Sequence, residues 1–250
     1  FKQKTAYEIR LSLVGSEMCI RDSYECCWYA LQSASIVTMM GITMGNIFCI
    51  GRNYSEHAKE LGNPVPTTPV VFLKSWGSLV RPSPDRWYLP RDIGRIDPEI
   101  EWVVEIGRDA SSLTEADALA AVAGYAVGLD VTARDLQSEA KSKGLPWLAS
   151  KGRKGFAPLS EVKSVAAMGH GPFELELQVN GKTRQKASTA EMIFSLPRIL
   201  CFLAELYGLT KGDLIFTGTP AGVGPVEVGD RVAAFLRGKS GQIEFELHVE

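Results

Sequence analysis

From position 47 onward the chain reads as short apolar runs separated by turn residues. IFCIG at 47–51 is a continuous apolar run closed by glycine, the pattern of a buried strand. Asn53 stands where it can cap a helix, and NYSEHAKELG ends in Gly62 with Pro64 beyond, stop signals in the expected order. VVFLK at 70–74 and PEIEWVVEIG at 98–107 each predict a strand. ADALAAVAGYAVGLD has helical apolar spacing to about Gly124, then predicts a strand ending at Asp130. FELELQV at 173–179 alternates apolar and polar residues, and the Asn180–Gly181 pair turns it into a hairpin. SLPRILCFLAELYG has helical period with Gly208 at its end, and DLIFTGTP is a strand running into a Gly- and Pro-containing loop. RVAAFLRG and QIEFELHVE predict a closing hairpin. Strands outnumber helices and there is no βαβ period or internal repeat, so residues 45–250 are expected to form one α+β domain, mainly β.

Residues 1–44 break the pattern. No charged residue occurs from Cys26 to Gly51, a run long enough to consider as a membrane span. Polar Gln32, Ser33, Ser35, Thr38, Thr43 and Asn46 interrupt it, and the upstream acids Glu8, Glu17, Asp22 and Glu25 are unlike the basic start of a signal peptide. KTAYEIRLSLVGSEMCIRDS resembles translated sequencing-adapter or vector sequence. Residues 1–44 are therefore expected to be a non-native or disordered leader, with Met44, Met39 or Met40 as the natural start.

Charge narrows the partners. Lys plus Arg number 27 and Asp plus Glu 29, a formal −2, which argues against a basic nucleic-acid-binding face. Of the five cysteines, Cys19, Cys26 and Cys27 crowd the leader, leaving Cys49 and Cys201. No CxxC is present, so a zinc or disulfide scaffold is not expected, and a reducing compartment is: cytoplasm, or an organelle matrix such as that of mitochondria.

Candidate chemistry lies in four places. Glu99 and Glu101, two apart in a strand-like run, leave the same face, where two buried carboxylates must hold a proton or share a hard cation. Asp130, at the end of the next strand, is a credible third. An acidic pair on a solvated strand face would show the same spacing. His57 and Glu60, three apart in the predicted helix, suit a positioned general base, and equally an ordinary surface pair. Of the other histidines, His170 sits in a Gly-rich turn and His248 near the terminus, so neither joins a ligand cluster. TARDLQ brings Arg134 and Gln137 soon after Asp130, and Lys151 follows; these residues suit an anionic substrate or a solvated loop. GTPAGVGP at 218–225 lacks the residues of a phosphate-binding P-loop, and is better suited to letting backbone amides and Thr219 approach a small ligand.

GRNYSEHAKE, PEIE, GLDVTARDLQ, KGLPW, Lys151, TAEMIFSLP and GDLIFTGTPAGVGPV, in this order across about residues 47–250, resemble the fumarylacetoacetate hydrolase family. KGLPW and TARDLQ are closest to the branch of acylpyruvate hydrolases that also decarboxylate oxaloacetate. The resemblance implies a mixed β-roll, a homodimer, and one Mg²⁺ or Mn²⁺ per site held by Glu99, Glu101 and Asp130. It implies that a small anionic 2-oxo acid chelates the metal, which stabilises the pyruvate enolate left by C–C cleavage. His57 with Glu60 would activate water, Lys151 would be the further catalytic residue, and Arg52, Tyr54, Arg134, Gln137 and Thr219 would contact substrate. The activity implied is a metal-dependent C–C hydrolase of acylpyruvate-type 2,4-dioxo acids, an oxaloacetate decarboxylase, or both. A 2-oxo acid isomerase or hydratase, such as a 2-hydroxyhepta-2,4-diene-1,7-dioate isomerase, and a non-catalytic ligand-binding protein are the alternatives. Neither nucleic acid nor membrane is an expected partner. Three departures stand out: Asp97–Pro98 where relatives often carry a His pair, Ser75 after Lys74 where Pro is common, and Lys154 where many have Asp three residues after the lysine.

Overall fold

The apolar run at 47–51 becomes a strand buried on both faces: Ile47 and Cys49 turn into one layer of packed side chains, Phe48 and Ile50 into another. The computed structural model describes residues 45–60, 65–81, 85–90 and 92–250. The expected leader, and the expected helix stop at Gly62 and Pro64, lie outside the described residues. The strands are Ile47–Gly51 (β1), Val70–Lys74 (β2), Leu79–Val80 (β3), Arg86–Trp87 (β4), Ile96–Asp97 (β5), Ile100–Ile106 (β6), Val122–Leu129 (β7), Thr132–Ala133 (β8), Ala157–Pro158 (β9), Lys163–Ser164 (β10), Glu174–Val179 (β11), Lys182–Ser188 (β12), Leu214–Phe216 (β13), Arg231–Arg237 (β14) and Gln242–Val249 (β15). The α-helices are Ser55–Glu60 (α1), Arg134–Ser142 (α2), Leu148–Lys151 (α3), Val165–Met168 (α4) and Leu196–Tyr207 (α5). The fold is α+β and mainly β, as the pattern predicts.

A six-stranded sheet runs in the order β10-β7-β6-β13-β1-β2, and a five-stranded sheet in the order β12-β11-β14-β15-β4. The first sheet is mixed, since β1 pairs parallel with β13 and antiparallel with β2. One face joins the larger core, where Trp102, Val104, Tyr125 and Val127 belong with Leu175 and Leu177 of the second sheet and Ile199 and Leu203 of α5. Trp102, Tyr125 and Phe173 are in mutual ring contact, each pair 5.2 Å between centroids. Val103, Ala126, Leu214 and Phe216 face a smaller cluster on the other side. The 180–181 turn has both central residues in the left-handed region, Asn180 at φ 52° and Gly181 at φ 73°, which matches the twist of its hairpin. Helix α5 begins at the Ser195 cap and is followed by Gly208 at φ 70°. Among the described residues no helix is long and apolar enough to cross a membrane.

Two expectations are corrected. The helical spacing after Ala116 yields only one 3₁₀ turn, Ala118–Ala121, because Val122–Leu129 is paired as a strand between β6 and β10. Sheet pairing there outweighs a helix propensity worth only about 0.5 kcal/mol per residue. Nor does Asn53 cap α1. Its buried amide donates to Phe194 O at 3.2 Å and Thr217 O at 2.8 Å and accepts from Phe194 N at 2.7 Å, tying the chain after β1 to two distant loops.

The register of β6 against β7 sets the three carboxylates in place. Ile100 pairs with Leu129 and Glu101 with Gly128, so Asp130 falls across from Glu99, and its N–H donates to Glu99 O at 2.8 Å. Gly128 leaves the space opposite Glu101 free of a side chain. A Cβ there would stand 2.7 Å from Phe216 Cε1 and 2.9 Å from Val103 Cγ2. Gly128→Ala is therefore expected to destabilise the fold by about 1–3 kcal/mol through overpacking, read as a lower denaturation midpoint with unchanged slope.

Candidate functional site

Glu99, Glu101 and Asp130 lie on the parity of Val103 and Ala126, at the end of the sheet where β6 begins and β7 ends. Each is buried, and one oxygen from each lies within 4.8 Å of the others. The acidic pair is thus not on a solvated strand face.

The surrounding cations are unevenly shared. Lys151 Nζ donates to Glu99 Oε2 at 2.8 Å and to Asp130 Oδ2 at 2.5 Å, and the Arg134 guanidinium takes the other Glu99 oxygen. Burial alone would push the Glu99 carboxyl up, but Lys151 and Arg134 hold it well below the usual carboxylate range. Glu101 has no such partner: burial pushes its carboxyl up, Asp130 and Glu99 add to this, and only the Gly218 N–H, at 2.7 Å, and the more distant Lys151 oppose it. Lys151 loses by burial but is held protonated by Asp130 and Glu99.

This donor set fits a divalent cation. Asp130 Oδ1 lies 2.7 Å from Lys74 Nζ, yet the Lys74 protons are directed to the carbonyls of Val131, Lys151 and Phe156, so Oδ1 gains a charge contact without a hydrogen bond. A buried carboxylate oxygen without a hydrogen bond, beside a Glu101 whose charge is uncompensated, is the coordination that a hard cation completes. Hard oxygens alone select Mg²⁺, Mn²⁺ or Ca²⁺ over zinc.

The other predicted residues gather around these three. Arg52, His57, Arg134, Gln137, Lys151 and Thr219 line one pocket with the carboxylates. His57 Nδ1 faces Glu60 Oε2 at 3.4 Å, which leaves Nε2 for the pocket. Burial lowers the imidazole pKa, and Glu99 and Glu60 only partly reverse this, so the ring is neutral near pH 7. Glu60 also accepts the Gly222 N–H at 3.2 Å, clipping α1 to the 218–225 loop. That loop needs Gly218, at φ 103°, because a Cβ would meet Asn53 Cβ at 2.7 Å. Tyr54 is not brought to the pocket. It packs in the larger core beside Glu101, the hydroxyl without a hydrogen-bond partner among the described residues.

Sequence reasoning misses several supporting residues. Asp97, fully buried, accepts from Arg95 Nε and Arg134 Nε, each at 2.7 Å, and so aims Arg134 at Glu99 and, at 2.9 Å, at Gln137 Oε1. Gln185 reaches over from the second sheet, donating to Thr219 Oγ1 at 2.8 Å and accepting Ile100 N at 3.0 Å. Lys74 is a further one, and its neighbour Ser75 donates its hydroxyl to Gly152 O at 2.7 Å. The departure at Lys154 is an exposed side chain outside the pocket wall. Gln185 is signalled in the sequence as a polar residue within a strand and Asp97 as a departure from the family pattern; the roles of all of them are set by distant partners.

The fumarylacetoacetate (FAA) hydrolase C-terminal family model matches residues 46–247. The chain is 43% identical over 203 residues to the oxaloacetate tautomerase FAHD1, mitochondrial, of Arabidopsis thaliana, covering 80% of this chain and 90% of that one. Among solved structures it is similar to the fumarylpyruvate hydrolase from Pseudomonas aeruginosa in complex with Mn²⁺ and pyruvate, with TM-score 0.76 and 34% identity over 82% of this chain and 88% of that one. It is also similar to the 2-hydroxyhepta-2,4-diene-1,7-dioate isomerase from Mycobacterium marinum, with TM-score 0.70 and 33% identity over 82% of this chain and 74% of that one.

The site makes a prediction of opposite signs. Because Glu101 is repelled by its neighbours, Glu101→Gln is expected to keep or raise thermal stability without metal while losing most of the stabilisation that Mn²⁺ gives the wild type. That stabilisation is about 2.7 kcal/mol at a hundredfold excess over Kd. Asp130→Asn should lose the Mn²⁺ response too. Equal Mn²⁺-induced shifts in melting temperature for the wild type and both variants would contradict the assignment.

Proposed function

The chain belongs to the fumarylacetoacetate hydrolase family, and from that premise we propose that it acts on small anionic 2-oxo acids, hydrolysing the C–C bond of acylpyruvates and decarboxylating oxaloacetate. One arrangement carries the reading: a buried Glu99–Glu101–Asp130 cluster shares a pocket with the neutral His57 of a His57–Glu60 pair and with Arg134, Gln137, Lys151 and Thr219. The Mn²⁺ and pyruvate named with the Pseudomonas relative support both the metal and the substrate class.

A divalent cation held by Glu99, Glu101 and Asp130 would supply a Lewis acid for the negative charge that grows on a 2-oxo oxygen. Arg134, held by Asp97, and Gln137 orient the substrate carboxylate. Lys151 adds a fixed positive charge, and Thr219, held by Gln185, a hydroxyl. On an acylpyruvate, His57 Nε2 takes a proton from water as its oxygen adds to the distal carbonyl. The bond from that carbon to the pyruvyl methylene then breaks, its electron pair forming the pyruvate enolate, which a proton converts to pyruvate. Glu60 fixes the ring and stabilises the imidazolium formed. Oxaloacetate needs no water, since CO₂ departs and leaves the same enolate.

A second reading, isomerisation, is favoured by the name of the 43% identical plant relative, an oxaloacetate tautomerase. Here His57 moves a proton at the methylene carbon and no carbon–carbon bond breaks.

Acetylpyruvate, fumarylpyruvate and oxaloacetate, each with and without Mn²⁺, test these readings. Turnover should need the metal, and His57→Ala should cut acylpyruvate hydrolysis by roughly 10²–10⁴-fold while slowing CO₂ release from oxaloacetate far less. Acylpyruvate hydrolysis that persists in His57→Ala would count against the dyad. Keto–enol interconversion of oxaloacetate without CO₂ release would select the second reading.

The pH profile provides a further check. Since burial lowers the His57 pKa, the acid limb of kcat/KM for acylpyruvates at saturating Mn²⁺ should fall below the ordinary imidazole value of about 6.5. Glu60 raises that pKa, so Glu60→Gln should move the limb lower still and reduce the plateau; an upward move would show that Glu60 does not act through His57.

A further inference from the structure

The pocket contains more positive charge than its carboxylates neutralise. Arg134 is paired with Asp97 and Glu99, Lys151 with Glu99 and Asp130, and Lys74 with Asp130. Lys141 and Arg52 line the same pocket, and among the described residues neither has a carboxylate within ion-pair distance. Lys141 is held there by the fold. It extends the face of α2 that already presents Arg134 and Gln137, at helical spacings of three and seven residues from Arg134. Its Nζ stands 5.3 Å from the ring centroid of Trp147, and that indole is braced edge-on by Phe72 at 5.6 Å. Partial desolvation, and then the charges of Arg134, Arg52 and Lys151, lower the pKa of the largely exposed Lys141, and Glu99 opposes them only in part. Arg52 is itself held at φ 60°, a left-handed conformation that costs a non-glycine residue roughly 1 kcal/mol.

A 2-oxo acid held through its first carboxylate and oxo oxygen leaves Lys141 and Arg52 as cations of this pocket that have no carboxylate partner among the described residues. We propose that Lys141, with Arg52, reads a second carboxylate there, so that the site favours dicarboxylic over monocarboxylic 2-oxo acids. This rests on the reading of the pocket as a 2-oxo acid site but not on any turnover. Lys141 is a specificity-determining residue in this account and takes no part in bond breaking.

The test is calorimetric binding of pyruvate and of 2-oxoglutarate, one and two carboxylates, to the Mn²⁺-loaded wild type, Lys141→Met and Lys141→Arg. Wild type should prefer 2-oxoglutarate. Lys141→Met should weaken 2-oxoglutarate about tenfold and pyruvate by less than about twofold, as expected for one charge-assisted contact at a half-open site, with Lys141→Arg close to wild type. Equal weakening of both ligands, or no change in either, would overturn the proposal, as would a wild type that shows no preference. Should the selectivity hold while none of the candidate substrates is turned over, the catalytic reading falls and this one stands. Should turnover be found while Lys141→Met treats both ligands alike, this one falls alone. A wild type that binds neither ligand removes both.

Discussion

Carboxylates buried within 4.8 Å of one another repel strongly unless cations share their charge, and the architecture around Glu99, Glu101 and Asp130 is organised by that requirement. Lys74 arrives from the end of β2, Lys151 from the end of α3 and Arg134 from the start of α2, each drawn from a different part of the chain. Charge compensation is incomplete at Glu101, and one Asp130 oxygen has the Lys74 charge beside it but no hydrogen bond, which distinguishes the cluster from a fully satisfied ion-pair network. A fully satisfied network would have no room for a cation.

The same requirement links the site to the fold. Lys74 also donates to the carbonyls of Val131, Lys151 and Phe156, so the charge that stabilises Asp130 fastens the turn after β7 to the end of α3 and to the segment that follows it. Gly128 clears the space opposite Glu101, Gly218 supplies it with a backbone donor, and Gln185 carries the second sheet into contact with Ile100 and Thr219. His57 sits on a separate short helix, held through Glu60 to the loop that also presents Thr219. The imidazole and the carboxylate cluster are thereby mounted on different elements facing one pocket.

The departures from the family pattern become intelligible in these terms. Asp97 is a buried anion between two guanidiniums, and it aims Arg134 where a histidine would leave that arginine less firmly held. Ser75 ties the end of β2 to Gly152, beside the carbonyl of Lys151 that Lys74 also holds. Lys154 is exposed and outside the pocket wall, so it adds no charge contact to the carboxylates.

Much was legible in the sequence because it rests on local geometry. Period-two alternation marked β11, the Asn180–Gly181 pair marked its hairpin, and Gly208 marked the end of α5. Two residues apart in a strand places Glu99 and Glu101 on one face, and three apart in a helix places Glu60 beside His57. Local signals failed where a distant partner decided: the Ala-rich stretch before Gly124 stopped at one 3₁₀ turn because the chain from Val122 pairs with β6, and Asn53 joined Phe194 and Thr217 instead of capping a helix. By itself the sequence determined which residue types were available and which faces they shared. Only the tertiary structure decided that those faces are buried, that Asp130 stands across from Glu99, and that Tyr54 turns into the core while Lys141 joins the pocket. The physical reason is that burial and charge pairing depend on contacts between residues far apart in the chain, and no local spacing encodes them.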